Sequence, residues 1–194
     1  FNMIILNLAG NTGVAAYGVV ANTSLVAVAL FNGIAQGSQP LISRSYGRGE
    51  EQNVRSLLKM SLTTAFGLGV LLVLFIFFSA PAVTAVFNSE HDLQLAAYAD
   101  SGLKLYFIGF LFAGINIVGT AALSAVESVK YAFCASISRG FVATIFFAFV
   151  LSACFKMTGI WLAFPAAEFA TMFITLSGLL YFTKQKGGMY HAKN

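Results

Sequence analysis

Two ionisable residues interrupt long apolar stretches of the sequence, where a charge is costly. Glu168 is the single charged residue between positions 157 and 183, and Arg139 interrupts the preceding apolar stretch. An unpaired carboxylate inside a membrane helix must be neutralised, paired or turned toward a water-filled cavity. Glu168 is therefore a candidate for proton or cation coupling. Its alternative role is that of a structural partner for a hydroxyl or for Arg139, which could otherwise extend its guanidinium toward the membrane surface.

A second group of polar side chains recurs along one face of a predicted helix. Asn116, Thr120 and Ser124 are spaced four residues apart, and with Gly109 and Ala113 they form a face of small and polar groups. This face could line a central cavity. It could equally form a tight seam between helices that is held by interhelical hydrogen bonds.

Two further candidates would complete such a cavity. Gln36 lies with Asn32 and Gln39 on one helix face beside Pro40, where the alternative is that these side chains satisfy backbone groups freed by the proline. Phe112 is an aromatic side chain on the same predicted helix as Asn116. Aromatic faces attract organic cations, so a cavity of aromatic and small polar residues suits amphipathic cations.

Signs of catalysis, metal binding and nucleic-acid binding are weak or absent. No phosphate-binding loop, zinc-protease motif, CxxC pair or nucleophile elbow occurs, and the histidines His91 and His191 have no partner at ligand spacing. Cys134 and Cys154 lie roughly 30 Å apart in one predicted helix, too far to form a disulfide. The net charge is +4, and the positive residues flank the apolar runs. This placement favours anionic lipid headgroups over nucleic acid as the binding partner. We expect no enzyme activity, no metal site and no cofactor.

The composition requires a membrane environment for the elements that carry these residues. Hydrophobic residues make up 58% of the 194 residues and charged residues 9%, against about 25% charged in a soluble domain. Apolar runs of about 20 residues match the hydrocarbon core of a bilayer. We predict an all-α, polytopic membrane helical bundle: the end of a helix over residues 1–9, then helices over about 14–43, 52–79, 102–125, 130–155 and 159–183.

Details of the helix ends follow from local sequence. Pro40 should kink or end the first long helix, and Pro81 should begin a separate short apolar piece. Asn88 or Ser89 is a plausible N-cap for the helix after it. The sequence begins at Phe1 inside an apolar run, from which we expect a fragment of a longer membrane protein.

The basic residues orient the predicted helices. Nine of the eleven fall on alternate connections and their flanks: Arg44, Arg48, Arg55, Lys59, Lys130, Arg139, Lys184, Lys186 and Lys193. Lys104 and Lys156 lie on the other side. Because cytoplasmic connections are enriched in Lys and Arg, the nine mark the cytoplasm. The basic tail, residues 184–194, is therefore expected in the cytoplasm, and the chain is expected to be a multi-pass protein of the cell membrane.

Four segments in order resemble the multidrug and toxic compound extrusion (MATE) transporters. They are residues 33–47 (GIAQGSQPLISRSYG), 87–93 (FNSEHDL) with the later Gly114-Ile115-Asn116, 136–140 (SISRG) and 159–168 (GIWLAFPAAE). The resemblance implies a two-lobe transporter of about twelve helices. Residues 1–183 would then be the C-terminal lobe, from the end of the seventh helix to the twelfth, with the N-terminal lobe as the missing partner.

The same resemblance implies a function. Members of the family export drugs and toxic amphipathic cations in exchange for Na⁺ or H⁺. Small cationic amphiphiles are therefore the implied substrates, and Na⁺ or H⁺ is the implied coupling ion, with no cofactor. Some branches carry a cation-binding acid on the tenth helix. This chain has Asn116 there instead, which leaves Glu168 as the local candidate. A flippase for lipid-linked oligosaccharides and a non-transporting membrane scaffold are the alternatives.

Overall fold

The chain folds into a bundle of long helices. The computed structural model describes residues 2–89 and 91–191, with side chains as far as Lys184. The helices are α1 (Asn2–Gly47), α2 (Glu51–Phe87), α3 (Leu93–Phe107), α4 (Phe110–Ala125), α5 (Val129–Ile137) and α6 (Ala143–His191). A π-helical turn, Ser138–Val142, joins α5 to α6. No strand occurs within these described ranges, and the all-α prediction is confirmed.

Two backbone breaks and one bend define the segments that can cross a membrane. Three helical stretches are long and apolar enough to do so, Asn2–Gly47, Glu51–Phe87 and Val129–Lys184, and α3 with α4 adds a fourth that is bent by 46°. Gly10 and Lys156 have non-helical backbone angles, with φ of 62° and 52°. Because Lys156 divides the last stretch, the fold has five long segments after a short N-terminal piece, as the apolar runs predict.

The helix end predicted at residue 79, before Pro81, is wrong, and the helix predicted to run past Pro40 to about residue 43 extends four residues further. α1 continues past Pro40 to Gly47, and α2 continues past Pro81 to Phe87. Each proline removes one backbone hydrogen bond. Residues beyond each proline nevertheless remain packed in the bundle, since Ile42 is fully buried and Thr84 is 2% exposed. Tertiary packing therefore overrides the local tendency of proline to end a helix.

The N-cap of α3 also differs from the prediction, and α3 begins earlier than the helix predicted from residue 102. Asp92 is the cap: its carboxylate accepts hydrogen bonds from the backbone N–H of Gln94 at 2.7 Å and of Leu95 at 3.2 Å. Asn88 instead supports Asp92, donating to its carbonyl at 2.8 Å and accepting from its N–H at 3.0 Å. The capping cluster was correctly located, but Asp92 caps the helix and Asn88 holds the backbone of Asp92.

The basic connections come together at one end of the bundle. The start of α2 meets the end of α6 there, because Arg55 Nη2 donates to the carbonyl of Thr183 at 3.3 Å. The Tyr46 and Phe182 rings lie 5.9 Å apart at the same end, and so do Tyr131 and Tyr181 at 5.5 Å. This arrangement fits the alternating charge pattern. The cytoplasmic location of this end stays a prediction, and most side chains of the basic tail lie outside the described residues.

Large apolar side chains cover much of the outer surface. Exposed examples cluster on α2 and on the start of α6: Leu71, Leu74, Phe75, Phe77, Phe78, Ile145, Phe146 and Phe149. Water would penalise such a surface, whereas lipid chains accept it. The bundle is therefore a multi-pass membrane protein.

Helices α2 and α4 approach closely at Gly69. A Cβ atom at that position would lie 2.9 Å from the carbonyl oxygen of Phe110 and 3.3 Å from the Cα of Leu111. Two residues earlier on the same helix, a Cβ at Gly67 would meet nothing within 4 Å. Helix α4 carries Asn116 and Thr120. It can lie this close to α2 because glycine at position 69 has no side chain.

Candidate functional site

Glu168 lies at the centre of the polar part of the bundle. Its side chain is 2% exposed and is carried by the part of α6 that follows Lys156. One carboxylate oxygen, Oε1, accepts from Arg139 Nε at 2.6 Å, and the other, Oε2, accepts from Asn116 Nδ2 at 2.8 Å. Both oxygens of this buried carboxylate are thus bonded, and its charge is paired with a guanidinium.

The π-helical turn positions Arg139. In this turn, Ser138–Val142, the backbone hydrogen bonds join residues five apart instead of four. The change of pattern leaves a backbone carbonyl that must accept a hydrogen bond from another group. The hydroxyl of Thr144 donates to the carbonyl of Arg139 at 2.6 Å, and the Ser138 and Thr171 hydroxyls lie 3.1 Å apart. These bonds anchor the backbone of Arg139 opposite Glu168. π-Turns are frequent at functional sites, and this one carries a charged side chain.

Asn116 connects α4 to α6 from behind the carboxylate. It is fully buried, and its Nδ2 also donates to the backbone carbonyl of Glu168 at 2.8 Å. Its Oδ1 accepts from the hydroxyl of Thr175 at 3.0 Å. All three bonds cross between the two helices. Asn116 thus occupies an interhelical seam, the alternative that the sequence left open, and it holds one oxygen of Glu168 in place.

An open cavity of about 610 Å³ lies beside this pair. Its wall includes Gln36 and Gln39 of α1, Thr120 of α4, and Arg139, Phe164 and Glu168 from the last two segments. Several of these residues lie near the end of the bundle that carries the basic connections. Volumes of roughly 300–1,000 Å³ are usual for sites that hold small molecules.

The structure brings most of the predicted site residues together. Gln36 and Thr120 are on the cavity wall, and Glu168 meets it beside Arg139. Gln36 and Gln39 have no side-chain hydrogen bond within the described part of the chain, so they do not satisfy groups freed by Pro40. Their amides are available to a ligand instead.

Two predicted lining residues are placed elsewhere. Asn116 is behind the wall, and Phe112 packs edge-on against Phe169 with 5.1 Å between ring centroids. The cavity face of α4 contains Ile117 and Ala121 together with Thr120. Ser124 also lies on this face, so the cavity face shares Thr120 and Ser124 with the predicted one and is turned from it by roughly 50°, half of the 100° step per residue.

Residues that the sequence reasoning missed lie on the same helix as Glu168. Phe164, four residues earlier, is the aromatic side chain of the wall, and it stacks on Tyr106 with 4.2 Å between ring centroids. Thr171, three residues later, bonds to Ser138. Helical neighbours at three and four residues share a face, so this spacing could have identified both.

Comparisons with known proteins agree with this architecture. The MatE family model matches residues 1–150. No curated protein matches the chain. Among solved structures, an inward-facing multidrug resistance MATE family transporter of the MOP superfamily is similar, with a TM-score of 0.85 and 17% identity over 100% of this chain and 44% of that one.

Two other solved structures show the same fold. An outward-facing multidrug resistance MATE family transporter has a TM-score of 0.84 and 16% identity, over 98% of this chain and 42% of that one. A MOP superfamily transporter from Pyrococcus furiosus, whose structure was described as having a binding pocket of reverse polarity, has a TM-score of 0.81 and 16% identity, over 97% and 42%. The chain thus spans less than half the length of these transporters. With its helices, its polar cavity and a family match over most of its residues, the chain belongs to the MatE family.

Proposed function

We propose that this chain is the C-terminal lobe of a secondary active transporter that exports drugs or toxic amphipathic cations in exchange for Na⁺ or H⁺. One observation carries the proposal: a 2%-exposed carboxylate, Glu168, is held at the wall of a polar cavity of about 610 Å³ between membrane helices. Ionisable groups at such positions are costly and usually serve transport. A second lobe would complete the cavity, as two-lobe transporters bind substrate between their halves.

Competition between the ion and the substrate for the Glu168 carboxylate couples the movement of one to the movement of the other. The carboxylate pairs with Arg139 through a single 2.6 Å bond from Nε. A proton, a sodium ion or the positive group of a substrate would each replace this bond with a different positive partner. If the ion and the substrate need the same carboxylate, binding of one disfavours the other, which is the linkage that exchange requires.

The two alternatives fit this site less well. A scaffold subunit would have packed polar faces, whereas Gln36 and Gln39 face an open cavity. A flippase for lipid-linked oligosaccharides would need a strongly basic cavity. Arg139 is the one basic residue on the described wall, and it is opposed by Glu168.

Reconstitution of the full-length protein tests the proposal. Proteoliposomes with an imposed Na⁺ or H⁺ gradient should accumulate or release ethidium in a gradient-dependent way. Glu168→Gln should remove the gradient dependence, since the amide carries no charge for the ion to neutralise. Glu127→Gln is the matched control, because Glu127 is exposed in the connection after α4 and is absent from the cavity wall.

The outcomes separate clearly. Loss of coupled flux in Glu168→Gln, with Glu127→Gln unchanged, supports the proposal. Wild-type coupled flux in Glu168→Gln would remove Glu168 from coupling, and no ethidium flux under either gradient in the wild-type protein would count against the antiporter itself.

A further inference from the structure

A second cavity lies at the end of the bundle opposite the basic connections. It has a volume of about 220 Å³ and is formed by the end of α2, the connection after it and the start of α3. This volume is larger than a single water molecule needs. Thr84, Asn88 and Asp100 line the cavity, together with the exposed residues Pro81 and Ala85. The cavity therefore opens at the surface of the bundle, and it shares no lining residue with the central polar cavity.

Two oxygen atoms on this wall are buried without a hydrogen-bond partner. They are Thr84 Oγ1 and Asp100 Oδ1, and neither has a partner in the part of the chain that the structure describes. Thr84 is 2% exposed, so bulk solvent does not reach its hydroxyl from outside the cavity. A buried polar atom without a partner is costly, and such atoms usually bond to protein, ordered water or a ligand. The cavity thus suits an occupant that donates hydrogen bonds.

The charges beside the cavity favour an ammonium group with a nearby negative charge. Asp100 Oδ2 accepts from Lys104 Nζ at 2.8 Å, while Oδ1 keeps its full capacity to accept. An ammonium N–H bonded to a carboxylate oxygen forms a charge-assisted hydrogen bond, which is stronger than a neutral one. A phosphate in the same ligand would lie near Lys104 and keep the whole group neutral. A metal ion fits less well, because the described residues bring no three metal-binding side chains together.

The surface next to the cavity is apolar and suits a lipid chain. Phe77 lies four residues before Pro81 and Leu74 three residues before Phe77, so all three share a face of α2. Phe77 and Leu74 are both exposed, and Lys104 Nζ lies 5.8 Å from the Phe77 ring centroid. The polar cavity therefore continues into an apolar strip that runs toward the middle of the helix. A soluble amine would use the cavity alone, whereas a lipid would use both parts.

We propose that this cavity binds the headgroup of a membrane phospholipid that carries a primary ammonium group, as phosphatidylethanolamine does. The ammonium donates to Asp100 Oδ1 and Thr84 Oγ1, and the phosphate lies near Lys104. One acyl chain follows Phe77 and Leu74 along the outer face of α2. The bound lipid connects α2 to α3 from the membrane side. This site is outside the central cavity, and the inference does not depend on the proposed transport function.

A series of lipids with the same dioleoyl chains tests the proposal on the purified full-length protein. The series runs from phosphatidylethanolamine through its N-methyl and N,N-dimethyl forms to phosphatidylcholine, and each methyl group removes one N–H donor while the positive charge stays. Native mass spectrometry in detergent measures the dissociation constant of each lipid. The wild-type protein should bind phosphatidylethanolamine about tenfold more tightly than phosphatidylcholine, the size expected for a charge-assisted hydrogen bond.

Two variants assign this preference to the cavity. Thr84→Val keeps the shape of the side chain without its hydroxyl, and it should weaken binding of phosphatidylethanolamine about fivefold while binding of phosphatidylcholine stays unchanged. Asp100→Asn removes the negative charge, and the preference should fall below about twofold. Thr64→Val is the matched control on α2. It removes an exposed hydroxyl that bonds within the helix to the carbonyl of Met60, and it should alter neither constant.

Other results would overturn the proposal. Equal wild-type affinity for phosphatidylethanolamine and phosphatidylcholine would show that the cavity holds only water. An unchanged preference in Thr84→Val would place lipid selection elsewhere, and this variant decides the matter even if Asp100→Asn fails to fold. Glycerophosphoethanolamine, the headgroup without acyl chains, would assign the cavity to a soluble amine if it bound as tightly as the lipid. None of these measurements involves ethidium flux, so their failure would leave the proposed function standing.

Discussion

Breaking the Arg139–Glu168 pair should destabilise the fold asymmetrically. Arg139→Gln leaves a 2%-exposed carboxylate with only the Asn116 amide as a side-chain partner. Removing one member of a buried pair costs about 3–5 kcal/mol. Because Arg139 is itself 30% exposed, some water can reach the site, and we expect the lower value of about 3 kcal/mol.

The reverse substitution should be milder. In Glu168→Gln, the side-chain carbonyl can still accept from Asn116, and Arg139 can turn its charge toward the cavity. We therefore expect a loss of about 1 kcal/mol, the usual net value of one hydrogen bond. The double variant removes both charges and should lose about 2 kcal/mol, which gives a coupling energy of about 2 kcal/mol between the two residues.

A second pair in the same chain serves as the control. Lys104 and Asp100 lie 2.8 Å apart on α3, and their side chains are 34% and 32% exposed. This pair is half-buried and open to water on both side chains, and pairs four residues apart on a helix surface contribute about 0.5 kcal/mol. The two double-mutant cycles should thus differ about fourfold, although the two bond lengths are similar, because burial and not distance sets the energy.

The assay is denaturant unfolding of the full-length protein in detergent micelles, with the free energy of unfolding measured for each variant. Equal coupling energies for the two pairs would refute the reasoning. So would an Arg139→Gln variant as stable as Glu168→Gln, since the asymmetry follows directly from the unequal burial of the two side chains.

Three further predictions concern the framework of the site. Asn116→Leu removes three interhelical hydrogen bonds and leaves the buried carboxylate of Glu168 without one donor, so it should lower the free energy of unfolding by about 2–3 kcal/mol. Thr120→Val, on the cavity wall, is the control and should change this free energy by less than about 0.5 kcal/mol. Gly69→Ala should lower the midpoint of thermal unfolding, at a cost of about 1–3 kcal/mol, because its Cβ would meet a backbone carbonyl; Gly67→Ala, in open space, should not. Lys156→Gly should raise that midpoint, with a gain of about 1 kcal/mol, because a φ of 52° with ψ of −127° strains every residue except glycine; unchanged stability would show that this turn carries no strain.

Much of the architecture was predictable because the rules that govern it are local. Apolar runs had to span a bilayer, and the break predicted between residues 9 and 14 lies at Gly10. The continuation of α2 past Pro81 was not predictable in this way, since packing of residues beyond the proline outweighs one lost hydrogen bond. Glu168 and Arg139 also stood out without a structure, because a charge inside an apolar run always needs a partner.

The arrangement of the site was decided by the tertiary structure. The sequence left Glu168 with several candidate partners, and the seam formed by Asn116 was only one of two readings. The rotation of α4 placed Asn116 behind the wall and Thr120 on it, and the π-turn at Ser138–Val142 directed Arg139 toward a carboxylate 29 residues away.

The physical reason lies in the range of the interactions. Side-chain spacing along one helix reports which residues share a face, and hydrophobicity reports that the helix crosses a membrane. Neither reports which neighbour that face meets, because the rotation of a helix about its own axis depends on contacts from other helices, such as the close approach at Gly69. The sequence by itself determined a membrane bundle with one costly carboxylate, and packing between helices decided that Glu168 is paired, Asn116 is buried and Arg139 lies on the cavity wall.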